Sequence, residues 1–167
     1  KSASQTVLGR LAQGERVAYV SDAGTPAVSD PGAALVAAAQ AAGHTVVPLP
    51  GASSVVAALS ATGDVQAAGF CFAGFLPSKA GERDAALGLL AQRSTESVVL
   101  FEAPHRIEAV LQALAAALPT RRLTIARELT KQFETLASML CAQAPTWLAA
   151  DGRRTPRDVE QLRHGVL

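Results

Sequence analysis

Short apolar runs alternate along this chain with longer segments whose apolar residues recur at helical spacing. The runs predict five strands, over residues 17–20, 45–49, 70–75, 97–101 and 123–126. Helices are predicted between and after them, over residues 31–42, 53–61, 80–92 and 104–118. Because the runs are apolar on both faces, the pattern predicts an α/β sheet that is covered by helices on both sides.

Two stretches depart from this alternation. Residues 62–69 are small, polar and weakly periodic, so they are predicted to link two parts of the chain, residues 1–65 and residues 66–167. From about residue 150 the sequence becomes basic and rich in turn-forming residues, and it predicts no further strand.

Composition narrows the classes of function. Lys and Arg total 15 against 14 Asp and Glu, so the net charge of +1 gives no overall field that would indicate a nucleic-acid or membrane partner. No apolar run reaches the length of a transmembrane helix, and residues 1–10 lack the apolar centre of a signal peptide. The two cysteines and three histidines show no metal-ligand spacing, so no metal is predicted. The cysteines fit a reducing cytoplasm, although they could also pair.

Four of the predicted strands are followed by glycine-rich or charged segments, at the place where open α/β sheets bind ligands. These segments are residues 21–26, 50–54, 102–106 and 127–131. Each also has a purely structural interpretation, such as a tight turn, a helix cap, a Glu102–Arg106 ion pair or a solvated charged face. No G-x-G-x-x-G, Walker or G-x-S-x-G pattern occurs, so the residues alone predict only a polar ligand site at the strand ends.

Taken in order, five strings of this sequence resemble the motifs of one known family. They are Ser21-Asp22-Ala23-Gly24-Thr25-Pro26 with Asp30-Pro31-Gly32, Pro48-Leu49-Pro50-Gly51-Ala52-Ser53-Ser54, Gly74-Phe75-Leu76-Pro77, Glu102-Ala103-Pro104-His105-Arg106, and Ala126-Arg127-Glu128-Leu129-Thr130-Lys131. The family is the bacterial 16S ribosomal RNA ribose 2′-O-methyltransferases, which are tetrapyrrole-methylase-like, class III S-adenosylmethionine-dependent enzymes. The resemblance extends from residue 16 to about residue 135, and the order of the motifs makes it specific.

The resemblance implies two α/β subdomains that hold S-adenosylmethionine in the cleft between them. It implies methyl transfer to the ribose 2′-hydroxyl of a cytidine in 16S rRNA of the small ribosomal subunit, by a cytoplasmic homodimer that needs neither metal nor membrane. The implied cofactor-binding residues are Asp22, Gly24, Thr25, Pro26, Ser53, Ser54, Glu102, Arg127, Leu129 and Thr130. Candidates for activating the acceptor hydroxyl are Glu102, Glu128 and Lys131, and candidates for contacting RNA phosphates are Arg106, Arg127 and Lys131.

The sequence also departs from the family pattern. The opening strand, the T-P-I-G-N-L-type loop and the E-D-T-R segment are absent, and the match ends near Asp151. We therefore expect an incomplete first subdomain, little methyltransferase activity from this chain alone, and self-association through an unpaired sheet edge. Two alternatives remain open: a precorrin or porphyrin methylase, and an inactive dimerising fragment without catalysis.

Overall fold

The computed structural model describes residues 3–21, 24–150 and 165–166. The chain divides into two compact units, residues 1–53 and residues 54–167. The domain border expected after residue 65 stays a prediction, because compactness alone does not define a family's subdomains. No helix in the described part of the chain is long and apolar enough to cross a membrane.

The first unit contains two helices, α1 (Ala3–Ala12) and α2 (Gly32–Ala41). Soon after each helix comes a glycine with positive φ, 82° at Gly14 and 79° at Gly43, which is a common way for a helix to end. The helix predicted over residues 31–42 is thereby confirmed, whereas α1 was not predicted.

The two strands predicted in the first unit are wrong. Residues 17–20 and 45–49 belong to no strand in the described structure. Val20 is 81% exposed and Leu49 is 80% exposed. An apolar run becomes a strand only when a neighbouring strand pairs with its backbone, and among the described residues neither run has such a neighbour.

The second unit is built on a five-stranded sheet with helices on both faces. Its elements are α3 (Ser54–Thr62), β1 (Gly69–Phe75), α4 (Ala80–Ala91), β2 (Glu96–Glu102), α5 (Ile107–Ala117), β3 (Arg122–Arg127), β4 (Thr135–Leu140), a 3₁₀ turn (Cys141–Gln143), α6 (Ala144–Ala150) and β5 (Gly165–Val166). The strand order is β1-β2-β5-β3-β4. β1 and β2 are parallel, β5 is antiparallel to both of its neighbours, and β3 is antiparallel to β4. The α/β class and the helices and strands predicted between residues 53 and 126 are confirmed, but β4, α6 and β5 were missed.

Alternate residues of β2 point to the two faces of the sheet and enter different apolar clusters. Leu100 packs with Leu111 of α5 in the larger cluster, to which α4 and α6 also contribute. Val99 and Phe101 point to the other face, where Val55 of α3 covers them. This two-sided burial is what the apolar strand pattern predicts.

The short strand β5 places the ends of β2 and β3 at one level of the sheet. Phe101 and Ala126 both pair with Val166, and Glu102 and Arg127 both pair with Gly165. Because neighbouring strands lie about 4.8 Å apart, the backbones of Glu102 and Arg127 are separated by roughly 10 Å across β5. The segments that follow β2 and β3 therefore begin side by side at the same edge.

Candidate functional site

Glu102 is the last residue of β2, and its side chain is only 1% exposed. Its Oε1 accepts a hydrogen bond from the Ala103 backbone N–H at 2.8 Å and lies 3.2 Å from Nε of Arg106. Its Oε2 is buried and has no hydrogen-bond partner in the described structure. The carboxylate therefore keeps one unused acceptor at the strand end.

Arg106 immediately precedes α5 and ties three segments together. Its side chain is 24% exposed, and its Nη2 donates to the backbone carbonyl of Leu76, beyond the end of β1. The same guanidinium faces the Glu102 carboxylate, as the ion-pair interpretation of the sequence predicts. Glu102 and Arg106 thus form one partly buried charged group that links the ends of β1 and β2 to the start of α5.

The loop after β3 is held in an unusual backbone conformation. Glu128 and Thr130 have φ values of 53° and 64°, a region that residues other than glycine seldom occupy. Glu134 stabilises this turn, because its Oε2 accepts from the Thr130 N–H at 2.6 Å. Strained backbone of this kind persists only where surrounding contacts impose it, and it is common at ligand sites.

Three side chains of this loop are fixed by different contacts. Arg127 donates through Nη2 to Oγ1 of Thr135 at 3.2 Å. Leu129 packs against the apolar cluster under α3 and anchors the loop to the sheet. Lys131 lies 3.2 Å from Oε2 of Glu128, and its side chain is 61% exposed, whereas that of Glu128 is 16% exposed. The loop therefore presents a solvent-facing cation above a half-buried carboxylate.

The predicted cofactor residues of the first unit lie in two joined loops. Ser21 donates to the carbonyl oxygen of Gly24 at 3.1 Å, and Oγ1 of Thr25 donates to the carbonyl oxygen of Ala52 at 2.9 Å. Gly24 has a φ of 70°, and a Cβ added there would have no atom within 4 Å. The bond from Thr25 to Ala52 thus joins the two loops. Pro26 and Ser53 are half-buried in these segments. Asp22 lies outside the described residues.

Asp30 shapes residues 27–32, which lead from these loops into α2. Its Oδ1 accepts from the N–H groups of Ala27 at 2.8 Å and of Gly32 at 2.7 Å. Ala27 has a φ of 67°, and a Cβ on Gly32 would lie 2.5 Å from a ring carbon of Tyr19. The Asp-Pro-Gly string was the available signal, since Asp commonly accepts from N–H groups in such turns.

The structure brings the predicted residues of the second unit together at one end of its sheet. Glu102 ends β2 and pairs with Arg106, which precedes α5. Arg127 ends β3 at the same level, and residues 128–131 follow it. Ser54 opens α3 and is half-buried. Among the described residues, no group of three His, Cys, Asp or Glu side chains could hold a metal ion.

Comparison with known proteins defines the class of the chain. The profile described as Tetrapyrrole (Corrin/Porphyrin) Methylases matches residues 1–145, so the chain belongs to this family. The crystal structure of the methyltransferase CobJ superposes with a TM-score of 0.64 over 98% of this chain and 68% of that chain, at 24% sequence identity. This likeness confirms the predicted fold type.

Within the family, the chain is similar to proteins named ribosomal RNA small subunit methyltransferase I. It is 48% identical to that of Neisseria meningitidis serogroup B over 149 residues, which are 89% of this chain and 50% of that protein. It is 43% identical to that of Vibrio cholerae over 163 residues, which are 97% of this chain and 56% of that protein. It is 40% identical to that of Escherichia coli O157:H7 over 164 residues, which are 97% of this chain and 56% of that protein. The chain therefore spans about half the length of the curated relatives it matches.

Proposed function

We propose that this chain forms part of an S-adenosylmethionine-dependent methyltransferase that acts on the ribose 2′-hydroxyl of a cytidine in 16S rRNA. The observation that carries the proposal is 48% identity over 149 residues to a protein named ribosomal RNA small subunit methyltransferase I. The charged and strained loops at the ends of β2 and β3 support it, because these positions are where α/β folds bind their ligands. The small ribosomal subunit as partner, a homodimer and a cytoplasmic location stay predictions of the resemblance.

The described residues fit a cofactor that carries amino and hydroxyl groups. Oε2 of Glu102 is an unused buried acceptor, which such a donor would satisfy. Gly24 presents open backbone, because nothing lies within 4 Å of where its Cβ would be. The residues that would hold S-adenosylmethionine are Gly24, Thr25, Pro26, Ser53, Ser54, Glu102, Arg127, Leu129 and Thr130.

S-adenosylmethionine supplies, when bound, a methyl group on a sulfonium that is already activated for in-line transfer to a nucleophilic oxygen. The chain's own contribution is alignment of the reactants and handling of the hydroxyl proton. We assign the role of proton acceptor to Glu128, because its side chain is 16% exposed whereas that of Glu102 is 1% exposed. The exposed ammonium of Lys131 is placed to contact an RNA phosphate, and Arg106 and Arg127 are further candidates for such contacts.

Labelled methyl transfer tests this function. The assay uses this chain and a chimera in which the Neisseria meningitidis relative supplies the rest of its own length. Each is given labelled S-adenosylmethionine, small subunits that lack ribose methylation, and a precorrin as competing substrate. We expect the chimera to label ribose in 16S rRNA, with far less transfer by the shorter chain. Label in the corrin alone would favour the tetrapyrrole alternative, and no cofactor binding by calorimetry would favour an inactive fragment.

Substitutions in the chimera test the assigned residues. We expect Glu128→Gln to lower kcat at least tenfold with little change in KM, because the proton acceptor is lost but binding contacts remain. Glu96→Gln is the matched control, since this carboxylate pairs with Arg93 at the opposite end of β2. Arg127→Ala should weaken binding of the cofactor or the RNA. Equal kcat values for the Glu128 and Glu96 variants would contradict the role given to Glu128.

Gly24→Val tests the loop of the first unit. The added Cβ would have no atom within 4 Å, but it would stand where the ligand is proposed to approach. A φ of 70° at a residue other than glycine would cost roughly 1–2 kcal/mol of folding free energy. We expect cofactor binding to be lost while the chain stays folded by circular dichroism. Unchanged affinity in calorimetry would refute the contact.

A further inference from the structure

Two consecutive turns follow β3 and carry an aromatic side chain. The Lys131 N–H donates to the Glu128 carbonyl at 3.0 Å, and the Glu134 N–H donates to the Lys131 carbonyl at 3.1 Å. Glu134 also holds the first turn, because its Oε2 accepts from the Thr130 N–H at 2.6 Å. Phe133 occupies the third position of the second turn, so the backbone that carries its ring is fixed on both sides.

The ring of Phe133 is uncovered. Phe133 is 62% exposed, the highest value among the aromatic residues of the described structure, and Phe70 follows at 52%. Ring contacts join Phe72 and Phe75 to Phe101, and Phe133 takes part in neither of them. An aromatic side chain on a fixed turn loses little conformational entropy when it binds, and its face is apolar and polarised. Phe133 therefore offers a rigid ring face to a partner.

We propose that Phe133 is a stacking platform for one unpaired base of the RNA substrate, beside a phosphate that the ammonium of Lys131 contacts. The inference rests on the proposed function, because it takes RNA as the substrate, and it adds the residue that holds a base. Proteins recognise single-stranded RNA largely by stacking unpaired bases on aromatic rings, while lysines contact the backbone. Lys131 is two residues from Phe133, and its side chain is 61% exposed.

The place of the ring in the chain agrees with delivery of a nucleotide for methyl transfer. Phe133 lies in the same connection between β3 and β4 as Glu128, to which we assign the role of proton acceptor. The proposed cofactor contacts of residues 127–130 belong to this connection as well. A base on Phe133 is thus held by the loop that carries the proposed chemistry.

One nucleobase suits this surface better than a folded protein does. Gln132 and Glu134, which flank Phe133 in sequence, are polar and exposed. A stable protein interface buries about 800 Å² on each partner, far more than one ring between polar side chains supplies. A nucleotide needs only a ring face for its base and a cation for its phosphate, and Phe133 and Lys131 provide these two groups.

Fluorescence of 2-aminopurine tests the stacking, because this base loses emission when it stacks on an aromatic ring. The probes are short single-stranded oligocytidines in which one 2-aminopurine is moved along the strand. Each is titrated with this chain and with the chimera used for methyl transfer, and Kd is measured by anisotropy. Phe133→Leu keeps an apolar side chain without a π face, and Phe133→Trp enlarges the ring. Phe70→Leu is the matched control, since Phe70 pairs with Ser97 near the start of β1 and β2, at the opposite end of the sheet.

We expect Phe133→Leu to raise Kd about tenfold and to abolish the quenching, because stacking on the ring is lost. Phe133→Trp should retain both, and Phe70→Leu should change neither. An oligocytidine that lacks the base at the most strongly quenched position should bind the unaltered protein and Phe133→Leu equally well, since it keeps only the phosphate contacts.

Equal Kd and quenching for Phe133→Leu and the unaltered protein would overturn the proposal, as would an equal loss in Phe70→Leu. Absence of RNA binding by both unaltered proteins would overturn it too. A lower molar mass of Phe133→Leu in light scattering would show that the ring contacts a second protein chain instead. Methyl transfer is measured separately: RNA that binds through the ring but accepts no methyl group contradicts the proposed function and leaves the stacking role in place.

Discussion

Replacement of Arg106 by methionine removes the cation that pairs with the buried Glu102 carboxylate. The carboxylate, 1% exposed, would keep a single hydrogen bond, the one from the Ala103 N–H. Breaking a fully buried ion pair costs about 3–5 kcal/mol. Because Arg106 is 24% exposed and solvent screens part of its charge, we expect about 2–3 kcal/mol of lost folding free energy.

The assay is urea unfolding of four chains: the unaltered one, Arg106→Met, Glu102→Gln and the double variant. Glu102→Gln removes the negative charge and keeps the shape of the side chain, so it should lower the free energy of unfolding by only about 1 kcal/mol. The double variant should be clearly less unstable than the sum of the two single changes, because the methionine no longer leaves an uncompensated charge.

Lys131→Met serves as the matched control, because Lys131 and Glu128 form an ion pair whose cation is 61% exposed. We expect this change to cost about 0.5 kcal/mol or less. If Arg106→Met costs no more than Lys131→Met, or if the effects of Arg106→Met and Glu102→Gln simply add, the burial argument is wrong.

Three further outcomes follow from burial and charge. Leu111→Ala should cost about 2–5 kcal/mol in urea unfolding, because Leu111 is 0% exposed; a loss under 1 kcal/mol would contradict its place in the core. Burial raises the pKa of the Cys141 thiol, so iodoacetamide should modify the more exposed Cys71 first; equal rates by mass spectrometry would contradict this. The hydrogen bond from the Ser97 hydroxyl lowers the pKa of the Asp64 carboxyl from its usual value. The stability that this carboxylate contributes is therefore present above the unfolded pKa and is lost as pH falls through the folded pKa. Asp64→Asn should therefore flatten the stability curve below about pH 4, and an unchanged curve in acid unfolding would count against the hydrogen bond.

The predictions were most accurate for helices and strands that depend on local sequence patterns. The apolar stripe of α5, with Val110 and Leu111, specifies a helix because every turn buries the same face. β4 was missed because every second residue of it is exposed and Ser138 interrupts its apolar character. The strands expected over residues 17–20 and 45–49 failed for a different reason, since pairing depends on a partner strand that no local pattern reveals.

In the candidate site, too, local contacts were predictable from the sequence and long-range contacts were not. The ion pair of Glu102 and Arg106 was predictable, because opposite charges four residues apart at the start of a helix can meet. The bond from Arg106 to the carbonyl of Leu76 was not, because it joins residues far apart in sequence. The left-handed backbone at Glu128 and Thr130 was equally hidden, since neither residue favours it and only the finished loop imposes it.

The position of β5 has a consequence for how the chain folds as it is synthesised. β5 comes last in chain order among the described elements, yet it stands in the middle of the sheet. The pairs β1–β2 and β3–β4 leave the ribosome before it and can each close locally. Until β5 arrives they are held in place by α5, whose Leu111 packs in one cluster with Leu100 and Leu123. The centre of the sheet therefore stays unfilled until β5 has been synthesised. The step in which β5 joins the β1–β2 pair to the β3–β4 pair is late and depends on contacts between residues far apart in sequence.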